Sequence, residues 1–310
     1  MKKIILLLSA VLIMLAVPLL ALMPSASDRS ETQSDIAESG TVTVLLHESN
    51  KLKTITMSEY LVGVAACEME ASAPEEALKA QATAARTLLL NRRAENQKNG
   101  YDISDDPSRD QGYLDSDARR KKWGKSFDAC EKKLKECVDQ TAGVVITYGG
   151  EPIKAVYHAI SSGKTESAEN VWGGDYAYLQ SVVSDGDSLS KGFQSSVTLS
   201  ESDFLKKLGS LGIKAESVTL DPKPKVGGSG VVISYNLCGK TLRGSDIRSA
   251  FSLRSAAFTI QKQSSGYVIT VKGYGHMVGM SQAGAQYMAR QGFSYDEILS
   301  HYYIGCSVGK

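Results

Sequence analysis

Two carboxylates, Glu68 and Glu70, stand in the stretch YLVGVAACEMEASAPEEALKAQATAARTLLLN. Val64, Ala65, Ala66, Cys67 and Met69 surround Glu68. A carboxyl group buried among such residues has its pKa raised, so it keeps a proton near neutral pH. That is the requirement for a general acid in glycosidic cleavage. The structural alternative is a helix-end carboxylate facing the dipole of the helix that follows. After Glu68, Lys79, Gln81 and Arg86 are further candidates. Three later stretches also concentrate reactive or polar groups. The first sets Tyr157 and His158 before Ser161, Ser162, Gly163 and Thr165. The second runs from Trp172 to Tyr178. The third, Gly273 to Gln282, carries His276, Ser281 and Gln282.

Other chemistries fit less well. Ser161 or Ser281 with His158 or His276 would write a Ser–His–acid triad, yet neither serine sits in a GxSxG elbow. No HExxH or CxxC spacing offers a zinc site. Gly273-Tyr-Gly275 does not open a dinucleotide fingerprint. No cofactor is implied. The five cysteines are Cys67, Cys130, Cys137, Cys238 and Cys306. Cys130 and Cys137 share a helical face, but two turns part their Cα atoms by about 10 Å, too far for a disulfide. The simpler reading is that the cysteines, Cys67 included, pack as small hydrophobes.

These candidates must be held by surrounding elements. Ser72-Ala73-Pro74-Glu75 reads as a capping box with proline inside the first turn. From Pro74 to about Asn91 an Ala- and Leu-rich run without internal Gly or Pro predicts a long helix. Leu78, Ala82, Ala85 and Leu89 line one face of it. Upstream, Thr41–His47 and Lys53–Thr56 read as a hairpin, and Ser58 caps a short helix from Glu59 to Cys67. Residues 99–117 read as loop. Lys125–Gln140 is an amphipathic helix. Val144–Tyr148 and Ile153–His158 flank a Gly149-Gly150 turn and read as a hairpin. Residues 161–188 form a long polar loop.

A smaller inserted lobe is expected at about 197–265. Within it Ser200–Leu211 and Ser245–Phe251 are helical, and Val231–Leu237 and Lys240–Leu242 are strands. Phe258–Gln263 and Tyr267–Lys272 pair as a hairpin. Two helices close the chain, Ser281–Gln291 and Tyr295–Tyr303. Hairpins mixed with helices, without a βαβ rhythm, predict an α+β fold around one catalytic groove.

Lys2 and Lys3 precede an uncharged apolar run from Ile4 to Met23, about long enough to span a bilayer. Residues 1–26 are therefore expected to be an uncleaved transmembrane anchor, with cleavage near Ser25 or Ala26 as the alternative. The positive flank puts the N-terminus in the cytoplasm and the body outside. Residues 27–40 read as a polar tether, and 41–310 as the working domain. The net charge of +1 supplies no polyanion-binding field, which argues against nucleic acid as a partner.

The stretch around Glu68 closely resembles the signature of the stage II sporulation protein D family and the related amidase enhancers. Three later stretches agree in order: AVYHAISSGKTESAENVWGGDYAYLQSVVS, LRGSDIRSAFSLRSAAFTI and GYGHMVGMSQAGAQYMARQGFSYDEILSHYY. The resemblance implies a lytic transglycosylase that cleaves the β-1,4 bond between N-acetylmuramic acid and N-acetylglucosamine, preferring peptidoglycan strands stripped of stem peptides. The family's catalytic glutamate precedes Met in an A-A-E-M-P motif and maps onto Glu68. Glu70 takes the place of that motif's proline. Motif matches imply supporting roles at the sugar for Lys79, Gln81, Arg86, Tyr157, His158, Ser161, Thr165, His276, Ser281 and Gln282. The resemblance also implies engulfment during sporulation, a site between the mother-cell and forespore membranes, and stage II sporulation proteins P and M as partners.

The chain departs from the family pattern in places. Cys67 stands where a second Ala is usual, and Ala159 and Ser162 replace Ser and Gly of a Y-H-S-x-S-G-G-x-T motif. Met277 replaces the Gly after the third motif's histidine, adding bulk where glycine lets backbone or sugar approach. Some clostridial members bind zinc in the loop after the long helix. Here that loop, YDISDDPSRDQGYL, has neither Cys nor His, so no metal is expected.

Overall fold

A computed structural model describes residues 40–310. The expected anchor and most of the tether lie outside these residues. Among the described residues no helix is long and apolar enough to cross a membrane.

The fold is α+β. β1 (Thr41–Leu46) and β2 (Lys51–Thr56) form the expected antiparallel hairpin. Thr56, not Ser58, caps α1 (Met57–Glu68): its Oγ1 accepts the Glu59 N–H at 3.2 Å. The β-hairpin delivers Thr56 in an extended conformation, so the helix starts as the strand ends. α1 is apolar nearly all round and buried from Tyr60 to Ala66. It stops at Met69, which returns to extended backbone and leaves Glu68 as the last helical residue.

α2 (Glu75–Asn96) runs one turn longer than expected, and the Ser72 capping box does not form. Pro74 is itself the capping residue, with no side-chain cap bond. Glu75 and Glu76 in the first turn favour the positive helix end instead. Ala77, Ala80, Ala82, Ala84 and Ala85 are all fully buried. Their small side chains let neighbouring helices approach closely, and α2 becomes the axis of the main core.

The stretch expected to be loop after α2 contains two elements. β3 (Ile103–Ser104) adds to β1 in parallel, and α3 (Ser116–Trp123) is capped by Asp115. The buried guanidinium of Arg119 ties this segment down. It donates to both Glu59 oxygens at 3.1 Å and to Glu131 at 2.7 and 2.9 Å. α4 (Phe127–Gln140) follows.

The hairpin expected at 144–158 is a correction. β4 (Val145–Tyr148) pairs only briefly with β5 (Glu151–Pro152). β6 (Tyr157–His158) is a separate strand that follows the β5 hairpin and pairs elsewhere. α5 (Ala168–Trp172) interrupts the long polar loop. β7 (Gln194–Leu199), α6 (Glu201–Ser210), β8 (Lys225–Val226), β9 (Val232–Leu237), β10 (Lys240–Arg243), α7 (Gly244–Phe251), β11 (Phe258–Gln263) and β12 (Gly266–Lys272) come next. They build sheets β11-β12-β7 and β10-β9-β8 around a second core. Phe204 anchors that core, 4.8 Å from the Phe251 ring and 4.7 Å from Tyr267.

The chain then returns. β13 (Met280–Ser281) lies parallel to β6, with Met280 opposite Tyr157 and Ser281 opposite His158. α8 (Gln282–Arg290) and α9 (Tyr295–Tyr302) pack beside α2, and β14 (Ser307–Gly309) joins β4. The cysteines are unpaired. Cys137 is buried, but Cys67 is exposed rather than packed, because it sits on the last turn of α1 where the core ends.

Candidate active site

Three separate parts of the chain converge on Glu68. α1 ends there, so its carboxyl leaves the core yet stays half-buried. Gln282, the first residue of α8, donates its Nε2 to Glu68 Oε2 at 3.1 Å and to Gln81 Oε1 of α2 at 3.2 Å. The Gly112 N–H donates to the same carboxyl from the loop before α3. A side chain at Gly112 would collide with Cys67 Sγ, 2.6 Å from its would-be Cβ. Glycine is therefore what lets this backbone reach the carboxylate. Burial raises the Glu68 pKa, and the two donors only partly offset it. No charged neighbour among the described residues contributes to that shift. Glu70 is exposed and pairs with Lys122 Nζ at 3.3 Å. The site therefore holds one carboxyl, biased toward its neutral form by burial, and two carboxamides.

Tyr157 adjoins this group. Burial first, and then the Glu68 charge, push its phenol well above the usual range. Its hydroxyl donates to Gln111 Oε1 at 2.7 Å. Gln111 is buried and donates to Tyr60 Oη at 2.7 Å and to the Ala85 carbonyl at 3.1 Å. Gln111 and Gly112 were not singled out from the sequence. The signal available was a Gln-Gly pair closing an otherwise acidic loop.

His158 and His276 sit behind Tyr157, their rings 5.6 Å apart. His158 Nδ1 bonds the Val278 carbonyl at 3.1 Å, and His276 Nδ1 accepts the Val278 N–H at 3.1 Å. Burial pushes both imidazoles down, to about 4 and about 3, so both are neutral near pH 7.

The remaining candidates hold the frame. Ser281 Oγ donates to Asp187 Oδ1 at 2.7 Å, and the Ser161 N–H donates to Asp187 Oδ2 at 2.9 Å. The fully buried Asp187, also unseen in the sequence, thus locks β13 against the turn after β6. Thr165 Oγ1 accepts the Val182 N–H at 2.8 Å. Lys79 pairs with Glu76 at 2.7 Å. Arg86 is buried and donates to the Val144 and Val138 carbonyls at 3.2 and 3.4 Å. Lys79 and Arg86 are seven apart and share a face of α2, whereas Gln81 lies about 200° round from Lys79. Helical geometry therefore delivers Gln81 to Gln282, which links it to Glu68, and aims the two cations at other neighbours.

A family model described as "Stage II sporulation protein" matches residues 46–148, from the first hairpin through the Glu68 and Gly112 segments to β4. Stage II sporulation protein D of Bacillus subtilis is 35% identical over 271 residues, covering 84% of this chain and 77% of the relative. The protein of that name from Bacillus amyloliquefaciens is 36% identical over 87% of this chain and 78% of its own length. An amidase enhancer of Bacillus subtilis is 30% identical across 80% of this chain and 40% of itself. Identity of this level over most of both chains makes this chain a member of the stage II sporulation protein D family.

Proposed function

We propose that this chain is a membrane-anchored lytic transglycosylase of peptidoglycan, acting in sporulation. The observation that carries the proposal is the lone carboxyl of Glu68, whose pKa is raised by burial and whose position is fixed by Gln282 and the Gly112 N–H. Glycoside hydrolases generally need two carboxyl groups, the second serving as nucleophile or water-activating base. A lytic transglycosylase needs one. Glu68 protonates the glycosidic oxygen as the bond to C1 of N-acetylmuramic acid breaks. The resulting carboxylate then takes the proton of the same sugar's C6 hydroxyl, whose oxygen closes onto C1. The products are a free 4-hydroxyl on the departing sugar and a 1,6-anhydro end, and Glu68 regains its proton.

The relatives' sporulation name supports that setting. The body would lie on the extracytoplasmic side of a single N-terminal anchor, between mother cell and forespore, with stage II sporulation proteins P and M as partners. A second reading, a wall-binding amidase enhancer that cuts nothing, is favoured by the amidase-enhancer relative. One assay separates them. The purified chain is incubated with denuded glycan strands and the products are weighed by mass spectrometry. Anhydro-ended fragments that fall at least 100-fold with Glu68→Gln support the enzyme. No fragments leave the enhancer reading, and fragments unchanged by that substitution overturn the role given to Glu68.

A further inference from the structure

α8 turns two different faces to the rest of the molecule. Gln282 at its head reaches Glu68 and Gln81. Residues 283, 286, 287 and 290 lie about 90° further round the helix. That face packs beside the short turn Asp185–Leu189, and between them lies a cavity of about 470 Å³. Its size falls within the range of small-ligand pockets, about 300–1,000 Å³. Glu68 does not line it, so the cavity is separate from the carboxyl site.

The walls are fixed before any ligand arrives. Gly186 sits so close to Tyr287 that a side chain there would collide with it. Asp187, the next residue, is buried and held by Ser281 Oγ at 2.7 Å and the Ser161 N–H at 2.9 Å, so its carboxylate does not line the cavity. The charges that do line it are both positive. Lys191 comes from the segment after the turn, and Arg290 from α8, where it donates to Gln286 Oε1 at 3.3 Å. Among the described residues neither cation forms an ion pair, and no Asp or Glu lines the cavity. Two like charges in one cavity repel, and an anion between them removes that cost. Leu189 keeps 76% of its surface exposed, an apolar lip next to the half-buried Tyr287. The Gln286 and Gln291 carboxamides offer both donors and acceptors. Cations, apolar lip and carboxamides together suit the end of a peptide, reading its carboxylate, side chain and backbone amide in turn.

We infer that this cavity holds the carboxylate-ended tail of a peptidoglycan stem peptide. The occupant follows from the wall setting proposed above, and the inference rests on that setting but not on cleavage. A stem peptide is short, ends in a free carboxylate beside a D-alanine methyl group, and carries a further carboxylate at its glutamate. Because the cavity is separate from Glu68, the peptide it holds belongs to a neighbouring, uncut strand. A preformed pocket of this kind keeps the chain on intact wall while Glu68 works on a stripped strand alongside.

The test is fluorescence anisotropy of the purified chain with a stem tetrapeptide, L-Ala-γ-D-Glu-L-Lys-D-Ala, dye-labelled at its N-terminus, as the free acid and as the C-terminal amide. The acid is expected to bind about tenfold more tightly, in line with one charge-assisted contact. Lys191→Met, and separately Arg290→Met, should remove most of that preference and leave amide binding nearly unchanged. Leu189→Ser should weaken both forms alike, by about fivefold. Lys191, Leu189 and Arg290 are exposed, so equal unfolding midpoints verify that each variant is folded. Equal binding of acid and amide, or a preference that survives both methionine variants, overturns the site. An all-L tetrapeptide of the same composition that binds more tightly points to a protein tail and overturns the wall source. Peptide binding without anhydro products from the chain with Glu68 intact supports the pocket and sinks glycan cleavage, and products without peptide binding do the reverse.

Discussion

Met277 is the sharpest place to test how this fold balances strain against packing. Its φ is +74°, in the left-handed region, although it carries a side chain. That conformation costs about 1–2 kcal/mol for a residue with a Cβ. The side chain is only 1% exposed and packs on Val231, Ala256 and Ala257 at the junction of the two cores. Its Cε also lies against Gly273. Removing a buried methionine side chain costs about 2–5 kcal/mol. Met277→Gly forfeits that packing, adds about 0.4–1 kcal/mol of unfolded-chain entropy, and releases the backbone strain.

The net expectation for Met277→Gly is a loss of about 0.5–5 kcal/mol, because packing outweighs strain. Met277→Leu keeps both the strain and most of the volume, so it should cost less than about 1.5 kcal/mol. Met277→Ala keeps the strain and loses the packing, so glycine should be no worse than alanine here, against the usual order. Urea-unfolding midpoints of the three variants at neutral pH measure this. A glycine variant as stable as the parent would refute the reasoning, since the side chain would then contribute nothing. The sequence suggested that this bulk would intrude where sugar or backbone approaches. The structure turns it into the core junction instead.

Three further predictions follow from the site and its frame. His158 and His276 are held neutral by burial, with pKa values pushed down to about 4 and about 3, whereas the unfolded chain binds their protons near pH 6.5. Above that pH they cost the fold nothing. As pH falls from 6.5 toward 4, the unfolded state gains protons that the folded state refuses, and stability should drop by up to about 1.4 kcal/mol per pH unit per histidine. Unfolding midpoints at pH 7.5, 6 and 5 check the slope, and a midpoint independent of pH across that span would contradict it. Gln282→Ala removes a donor that favours the Glu68 carboxylate, so the pKa should rise further and, on the proposed glycan-cleaving reading, the alkaline limb of the pH–rate profile should move to higher pH, with a lower maximum. A limb moving to lower pH would show that Gln282 acts otherwise. Arg119→Met leaves Glu59 and Glu131 without their shared guanidinium. Because both carboxylates are part-exposed, the loss should fall near about 3 kcal/mol, at the low end for a broken buried pair. Thermal unfolding measures it, and an unchanged melting temperature would rule it out.

Local rules read the first half of the chain well. The apolar run to Glu68 and the Ala-rich stretch after it announce α1 and α2, because burial and propensity agree over many residues. Glu68 itself was legible as a carboxyl in apolar surroundings. What sequence order could not supply was partnership at long range. Tyr157–His158 read as the continuation of a hairpin, but its true neighbour, Met280–Ser281, returns only after the second core has been built. Ser161, Thr165 and Ser281 read as polar candidates at a sugar, and the structure spends their hydrogen bonds on Asp187 and Val182. Gln111 and Gly112 lay hidden in a loop because their work is done through one buried amide and one backbone N–H. Neither leaves a mark in composition or periodicity.

The placement of Gln282 shows how completely the acid depends on the whole fold. Its partner Glu68 lies 214 residues earlier and Gln81 lies 201 earlier. The contact exists only when α8 docks beside α2, and that docking has no slack. Gly284, one turn into α8, faces Tyr302 Oη and Ser184 Oγ, each too close for even a methyl group. Those two hydroxyls bond each other at 2.7 Å, and Ser281 at the head of the same helix bonds Asp187. Glycine at 284, serine at 281 and glutamine at 282 are thus one device: close approach, a cap locked to the frame, and a carboxamide delivered to the carboxyl. A chain with α1 and α2 formed but α8 undocked would expose Glu68 to water and lose the burial that raises its pKa. The environment that raises the Glu68 pKa therefore exists only in the chain with α8 docked.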